Sequence, residues 1–583
     1  MSRLLPARRR RLGAALVVVV LAGLGYYAWL GLSVRAELHS AEHQAGTLKS
    51  ALAAGDQARA SRSLADFSRS VSASRGHTSS LGWRLLDHLP FVGDDTRAVA
   101  TVSAVGAEVA DQALAPIVHR VDGGLAQQLA PHHGRLDLTA MTRLRPVLDE
   151  ASRSLDHATA QLGRVNVAGL TGWVRGPFEQ LTGQLRTADT GVGAAARATR
   201  IAPAMLGAEG PRSYLMLFDN NAEIRSTGGI PGAWAVLHAD HGRLTMGRQG
   251  SAGEFGEFTR PVLPQSKAER RLYGVQAATY FQDVNFTPDF PRTAALARAM
   301  YAKRYGGHVD GVLSMDAVTL GYLLRATGPV TVHGTTLTSG NATGLLLNGV
   351  YRRFPTNAGQ DAFFRAVAKA VFGKVSAGGA APAKLIPALA QSVAEGRTYL
   401  HSFAPSVQAV LDPTRIAGRV DAASDVHPRV GIYLSDATGS KMSYFLRTHT
   451  SVRATSCRGE QQVMAGRADF HMLTPAPGSL TRYITGGGHY GTPSGQQLVL
   501  ARIYGPAGGA LSDFRIGGKR IAAEQTVDQG RPVATLVVQL HGGQTVRADW
   551  TMRSGPGQHR AVIVTQSPGI VAAAAVREFP PAC

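Results

Sequence analysis

Residues 214–234 read YLMLFDNNAEIRSTGGIPGAW. An apolar run from Tyr214 to Phe218 stops at Asp219, Asn220 and Asn221. Glu223, Arg225 and the Gly228-Gly229 pair follow, and a second apolar run opens at Ala233. The pattern predicts strand, polar turn, strand, with amide, carboxylate and guanidinium groups gathered at one strand end. Loops at strand ends are where α/β proteins carry their binding groups. The candidate site is therefore set here, with Asn220, Asn221 and Arg225 as ligand-binding residues and Glu223 as a carboxylate available for chemistry.

Working outward, residues 210–400 alternate strand-like runs (214–218, 233–239, 311–315, 330–333) with helix-like ones (291–305, 318–326, 361–372). Alternation of this kind predicts an α/β core around a central sheet. From about residue 426 to 583 short β-forming runs are separated by Gly- and Pro-rich turns, which predicts a β-sandwich. Residues 35–200 are rich in Ala, Leu, Arg and Gln, with apolar positions at helical spacing such as Leu64, Phe67 and Val71. This predicts helical hairpins or a small bundle. The heptads are not sustained, so a partner-binding coiled coil is the weaker alternative. The expected class is multi-domain α+β.

Residues 12–32, LGAALVVVVLAGLGYYAWLGL, carry no charge, and Arg3 and Arg8 to Arg11 precede them. About 20 apolar residues span a bilayer as a helix, and basic flanks stay on the cytoplasmic side. The expectation is a basic cytoplasmic N-terminus over 1–11, a transmembrane helix over 12–32, and the bulk of the chain outside a cell membrane in a single-pass topology. A cleaved signal peptide is the alternative, although its apolar region would be shorter, about 7–15 residues.

Without those five arginines the chain still holds 56 basic against 40 acidic residues. A positive field favours anionic partners: lipid head groups, anionic glycopolymers or polyprenyl phosphates. Nucleic acid is not expected, because the charge is dispersed and no zinc-ligand or aromatic-basic motif accompanies it. The two cysteines, Cys457 and Cys583, suggest a disulfide in an oxidising compartment, two free thiols being the alternative.

Two further clusters carry candidate residues. In DVNFTPDFP (283–291), Asp289 and Pro291 fit the start of a helix, which leaves Asp283 for chemistry and Asn285 for binding. In Tyr351-Arg352-Arg353, followed by Asp361 and Arg365, the guanidinium groups of Arg352, Arg353 and Arg365 suit a phosphate. Asp361 and Arg365 also fit a plain i,i+4 ion pair. No HExxH, Walker loop or GxGxxG entering a helix is present.

NNAEIRSTGGIPGAW, DVNFTPDFPRTA, VDGVLSMDAVTLGYLLRATGPV and DATGSKMSYFL, in that order over roughly residues 80–450, resemble the bacterial envelope proteins of domain-of-unknown-function family 4012. More distantly, the core resembles the LytR-CpsA-Psr phosphotransferases, which attach glycopolymers from polyprenyl pyrophosphate carriers to the cell wall. That second resemblance implies Arg225, Arg353 and Arg365 on a pyrophosphate and Mg2+ as cofactor. It further implies Glu223, Asp283 or Asp361 as metal ligand or base. The Arg-x-Asp motif of those enzymes falls on Arg225-Ser226-Thr227, so its metal-binding acid is Thr227 here. The expectation is an envelope protein that binds or transfers an anionic glycopolymer or polyprenyl-phosphate-linked precursor. The second expectation is a non-catalytic scaffold for envelope proteins.

Overall fold

The computed structural model describes residues 29–52, 56–90, 92–120, 134–378, 382–420, 426–475, 480–488 and 490–583. They fall into two compact units, one within 1–130 and 137–203, the other within 131–136 and 204–583.

The first unit is helical. Residues 29–52 form a helix, followed by Gln57–Thr78, Leu81–Leu86, Gly93–Glu108, Leu138–Leu162 and Gly172–Met205. Side chains that favour caps set the starts: Asp56 accepts from Arg59 N, Ser80 from Trp83 N, and Asp137 from Ala140 N. Small residues let the helices approach closely, as in the buried set Ala98, Ala113, Ala151, Leu155 and Ala158. The short Leu81–Leu86 helix is a packed connection, as its sequence suggests. Trp83 is buried, and its indole donates to Thr96 O at 3.1 Å. No helix among the described residues is long and apolar enough to cross a membrane. Most of the uncharged run, residues 12–28, lies outside the described residues.

The second unit is built on a five-stranded sheet of β1 (Arg212–Asn220), β2 (Ile230–Asp240), β3 (Arg243–Ser251), β4 (Gly311–Asp316) and β5 (Thr398–Ser402), in the order β3-β2-β1-β4-β5. Strands β1 and β4 run parallel, so their C-terminal ends lie side by side with Asp219 opposite Asp316. Helices α1 (Phe290–Tyr305), α2 (Ala317–Thr327), α3 (Asn357–Ser376) and α4 (Pro382–Ala394) accompany the sheet. The strands and helices expected over 210–400 appear, but Val330–Val332 pairs with Thr335–Leu337 in a separate two-stranded sheet instead of joining the central one. Strands β3 and β5 were not foreseen, because β3 is only sparsely buried and β5 is five residues long.

The C-terminal half of this unit is a pair of sheets. One contains Leu446–Arg458, Gln461–Met472, Ala510–Ile516, Lys519–Arg520 and Thr545–Arg553. The other contains Arg429–Asp436, Gln496–Tyr504, Glu524–Asp528, Arg531–His541, Val562–Gln566 and Val576–Phe579. Alternate residues of both, such as Met464, Ala468 and Phe470 against Val499, Leu536 and Val538, fill one core. That core continues into Leu320, Leu347 and Phe363 of the α/β part. The two regions read separately from sequence thus share apolar interior within a single unit.

Cys457 and Cys583 form a disulfide across 126 residues. Beside it, Ala582 N donates to Gln462 Oε1 at 2.9 Å. The bond ties the chain's last residue to a sandwich strand and removes loop entropy from the unfolded chain. Replacing Cys583 by Ser is expected to cost this unit about 2–5 kcal/mol, measured as a lower urea midpoint under oxidising conditions. The same variant compared under reducing conditions should show little further change.

Candidate functional site

The C-terminal ends of β1 and β4 open onto a cavity of about 740 Å³. Ligands of open α/β sheets bind at this end of the strands. Strand β1 delivers its groups through a bulge between Phe218 and Asp219, where its pairing with β2 shifts register. The turn that follows is held by Asn220, which accepts Ala222 N on its side chain and Glu223 N on its carbonyl, both at 3.1 Å. Two glycines let it close. Gly228 has φ of +134°, and a Cβ on Gly229 would lie 2.1 Å from the Asn220 carbonyl carbon.

Much of the cavity wall is apolar: Phe218, Trp234, Leu320, Leu347, Phe364 and Val367. Its cationic groups are Lys441, Arg365 and Arg482. Asp219, Glu223, Asp316 and Asp361 supply carboxyls, and Tyr351, Tyr483 and Tyr490 supply rings.

Charge is distributed unequally among these groups. Burial works against the Glu223 carboxylate, but Lys441 and Arg225 outweigh it and hold its pKa below the usual range. Glu223 accepts from Arg225 Nη2 at 3.0 Å and from Lys441 Nζ. Burial likewise opposes the Lys441 charge, and Glu223 restores it and raises the pKa. Asp283 pairs with Arg225 at 3.3 Å, yet burial wins there and pushes the carboxyl to about 6. Asp219 is buried, and neither of its oxygens has a hydrogen-bond partner among the described residues. Burial, and then the neighbouring Asp316, drive its pKa well above the usual carboxylate value. Asp316 is the contrasting case, accepting from Thr319 N, Thr319 Oγ1, Asn221 Nδ2 and Arg397 Nη1 at 2.8–2.9 Å.

The structure therefore redistributes the residues named from sequence. Asn220, Glu223, Asp361 and Arg365 line the cavity. Asn220 donates to the Tyr351 hydroxyl. Burial raises the Asp361 pKa, and Arg365 faces Glu254 at 3.9 Å rather than forming the expected pair within its own helix. Arg225 has another occupation. Its guanidinium is 4 % exposed and is taken up by Ile224 O, Asp436 O, Glu223 and Asp283, with the Phe286 ring 4.7 Å away. Its Nε is unpartnered but buried, and Arg225 does not line the cavity, so it acts here as a structural cation.

Asn221 holds Asp316, and Asn285 donates to Thr227 Oγ1 and Gly229 O at 2.9 and 2.8 Å, so both amides brace the turn. Arg352 and Arg353 are exposed and do not line the cavity; Arg353 donates to Thr335. The three arginines expected on one pyrophosphate thus do not converge. Asp289 stands at the start of α1 as expected, with its carboxylate accepting Val420 N at 3.0 Å.

The residues also fail the test for the implied Mg2+. The acid of the Arg-x-Asp motif is the hydroxyl of Thr227, already used by Asn285. Glu223 is held by two cations, and among the described residues no group of three or more His, Cys, Asp or Glu is arranged for a metal.

Lys441, Asp316, Arg397, Arg482, Tyr483 and Tyr490 were not named from sequence. Asp316 had a local signal, since an Asp just before the apolar run of α2 reads as an N-cap, and it does cap Thr319 N. Lys441 and the rim residues join the site only through long-range folding, which leaves no spacing to read.

Arg397 is fully buried and donates to Glu395, Asp316, Gly569 O and Val571 O at 2.6–2.8 Å. It fixes Asp316 beneath the cavity and ties the sheet to the segment that precedes the last strand. Arg397→Met is expected to destabilise this unit by about 3–5 kcal/mol, because two acids are left buried without their cation. Urea unfolding of wild type and variant measures the loss.

Comparison with known proteins comes out sparse. No curated protein matches the chain. Residues 209–351 match the family described as "Protein of unknown function (DUF4012)", a narrower stretch than the motifs suggested. It runs from β1 to Tyr351 and contains the turn, the Asp219–Asp316 pair and one wall of the cavity. Over these residues the chain is similar to the DUF4012 family.

Proposed function

We propose that this protein binds an amphipathic anionic ligand of the polyprenyl-phosphate class, the lipid carrier of envelope glycopolymers, in the cavity at the ends of β1 and β4. The observation that carries this reading is the composition of the cavity. About 740 Å³ of space has a largely apolar wall, with Lys441, Arg365 and Arg482 the cations on its lining. Ligand pockets fall at roughly 300–1,000 Å³ and are mostly apolar with a few placed polar groups. An isoprenoid chain matches the wall, and a phosphate matches the cations.

The uncharged run at 12–32 and the basic residues before it support a place at a membrane surface, where such lipids reside. The resemblance to the LytR-CpsA-Psr enzymes points to the same ligand class. Binding is favoured over transfer, because Glu223 is neutralised by two cations and the expected metal ligand is Thr227.

The second reading, a scaffold for envelope proteins, draws on the helical unit. Leu81, Leu85 and Trp173 are 80, 64 and 67 % exposed there, and large exposed apolar side chains mark interaction surfaces when they cluster.

Farnesyl phosphate is the direct probe, with farnesol and inorganic phosphate as controls for chain and head group alone. Wild type is expected to bind the phosphate and neither control comparably. The double variant Arg365→Ala, Arg482→Ala should lose at least tenfold in affinity, since hydrogen bonds to charged groups are worth about 1.5–3 kcal/mol each. Arg353→Ala should bind as wild type does. Wild type that ignores farnesyl phosphate removes this reading.

A further inference from the structure

The cavity grades outward in burial. Trp234 and Leu347 are 1 % exposed, Tyr351 is 3 % exposed, and Tyr483 and Tyr490 are 42 and 71 % exposed on the same lining. Two large rings are thus left largely open to solvent on the lining of the pocket.

Tyr483 is backed by a second tyrosine ring. Its ring lies 5.3 Å from that of Tyr351 at 32°, and the Tyr351 hydroxyl is bound by the Asn220 amide. The Lys441 ammonium sits 5.9 and 5.8 Å from the two ring centres. Tyr490 lies against Gly439, where a Cβ would come within 2.6 Å of its ring. Gly439 has φ of +61°, so the glycine both turns the chain and makes room for the ring. A tyrosine has few rotatable bonds, and a backed ring has already lost their freedom, so contact with its open face costs little further entropy.

From these contacts we propose that Tyr483 and Tyr490 form a sugar-binding rim, on which the first pyranose of a lipid-phosphate-linked glycan stacks through its C–H face. The inference rests on the lipid-phosphate reading above and adds the class of group beyond the phosphate. The graded exposure of the lining carries it: Trp234, Leu320 and Leu347 are buried, Lys441 and Arg365 intermediate, and Arg482, Tyr483 and Tyr490 exposed. Lipid chain, phosphate and sugar occur in the same order along a glycosylated carrier. A sugar ring offers apolar C–H groups on one face and hydroxyls at its edge. A ring such as tyrosine's, apolar in its body and polar at its tip, is suited to it.

The test compares two phosphodiesters of equal charge, farnesyl methyl phosphate and farnesyl glucosyl phosphate, titrated against the full chain in detergent. Wild type should bind the glucosyl diester about tenfold more tightly than the methyl diester. Tyr483→Ala and Tyr490→Ala should each shrink that preference, read as the ratio of the two affinities, about threefold or more. Tyr483→Phe should keep it, because the face rather than the hydroxyl makes the contact. Equal affinity of wild type for both diesters overturns the sugar rim and leaves lipid-phosphate binding standing. A preference that survives both alanine variants, or is lost in Tyr483→Phe, also overturns it. Failure of wild type to bind either diester overturns the rim and the lipid-phosphate reading together.

Discussion

A chain of buried charge running from Asp283 through Arg225 and Glu223 to Lys441 fixes the turn after β1. An unpaired ion in such a place would cost several kcal/mol, so each member must meet an opposite charge or a carbonyl. Arg225 satisfies this by reaching the Asp436 carbonyl at the end of a sandwich strand, and Glu223 by meeting Lys441 a short way beyond that end. The requirement to pair these charges therefore sets how the sheet and the sandwich of the second unit meet. Arg397 does the same work on the other side of Asp316, with two backbone carbonyls near residue 570 as its further acceptors.

What this pairing leaves over is the site. With Arg225 and Arg397 committed inside, the cations that face the cavity are Lys441, Arg365 and Arg482. The two acids at the parallel strand ends are driven apart in character, Asp316 saturated with donors and Asp219 left without one. Arg365 and Arg482 are the lining cations outside the buried charge chain, and an anionic head group would meet them first.

Much of this fold is legible in the sequence because its signals are local. Tyr214 to Phe218 followed by Asp-Asn-Asn gives the strand and its turn, and Gly228-Gly229 gives the close approach that the structure uses. The cysteine pair gives the disulfide. Strand β3, RLTMGRQGS, escapes because most of it is not fully buried, so no apolar alternation marks it. The candidate site is legible in position but not in roles. Arg225 looks like a phosphate ligand when read beside its sequence neighbours, and its actual acceptors include Asp283 and Asp436, 58 and 211 residues away. Arg353 points the same way by composition, yet its helix leaves it outside the cavity. A guanidinium is equally good at bracing a fold and at holding a phosphate, and only tertiary structure decides between them.

The central claim is that the ends of β1 and β4 open onto the ligand site. A farnesyl phosphate analogue with a diazirine on its chain, photolysed with the intact protein and mapped by peptide mass spectrometry, addresses it most directly. Labels are expected on the apolar wall, in peptides containing Leu346, Leu347 and Phe364, and excess unlabelled farnesyl phosphate should suppress them. Labels confined to the helices of the first unit, or label on the cavity wall that competitor does not displace, would contradict the account.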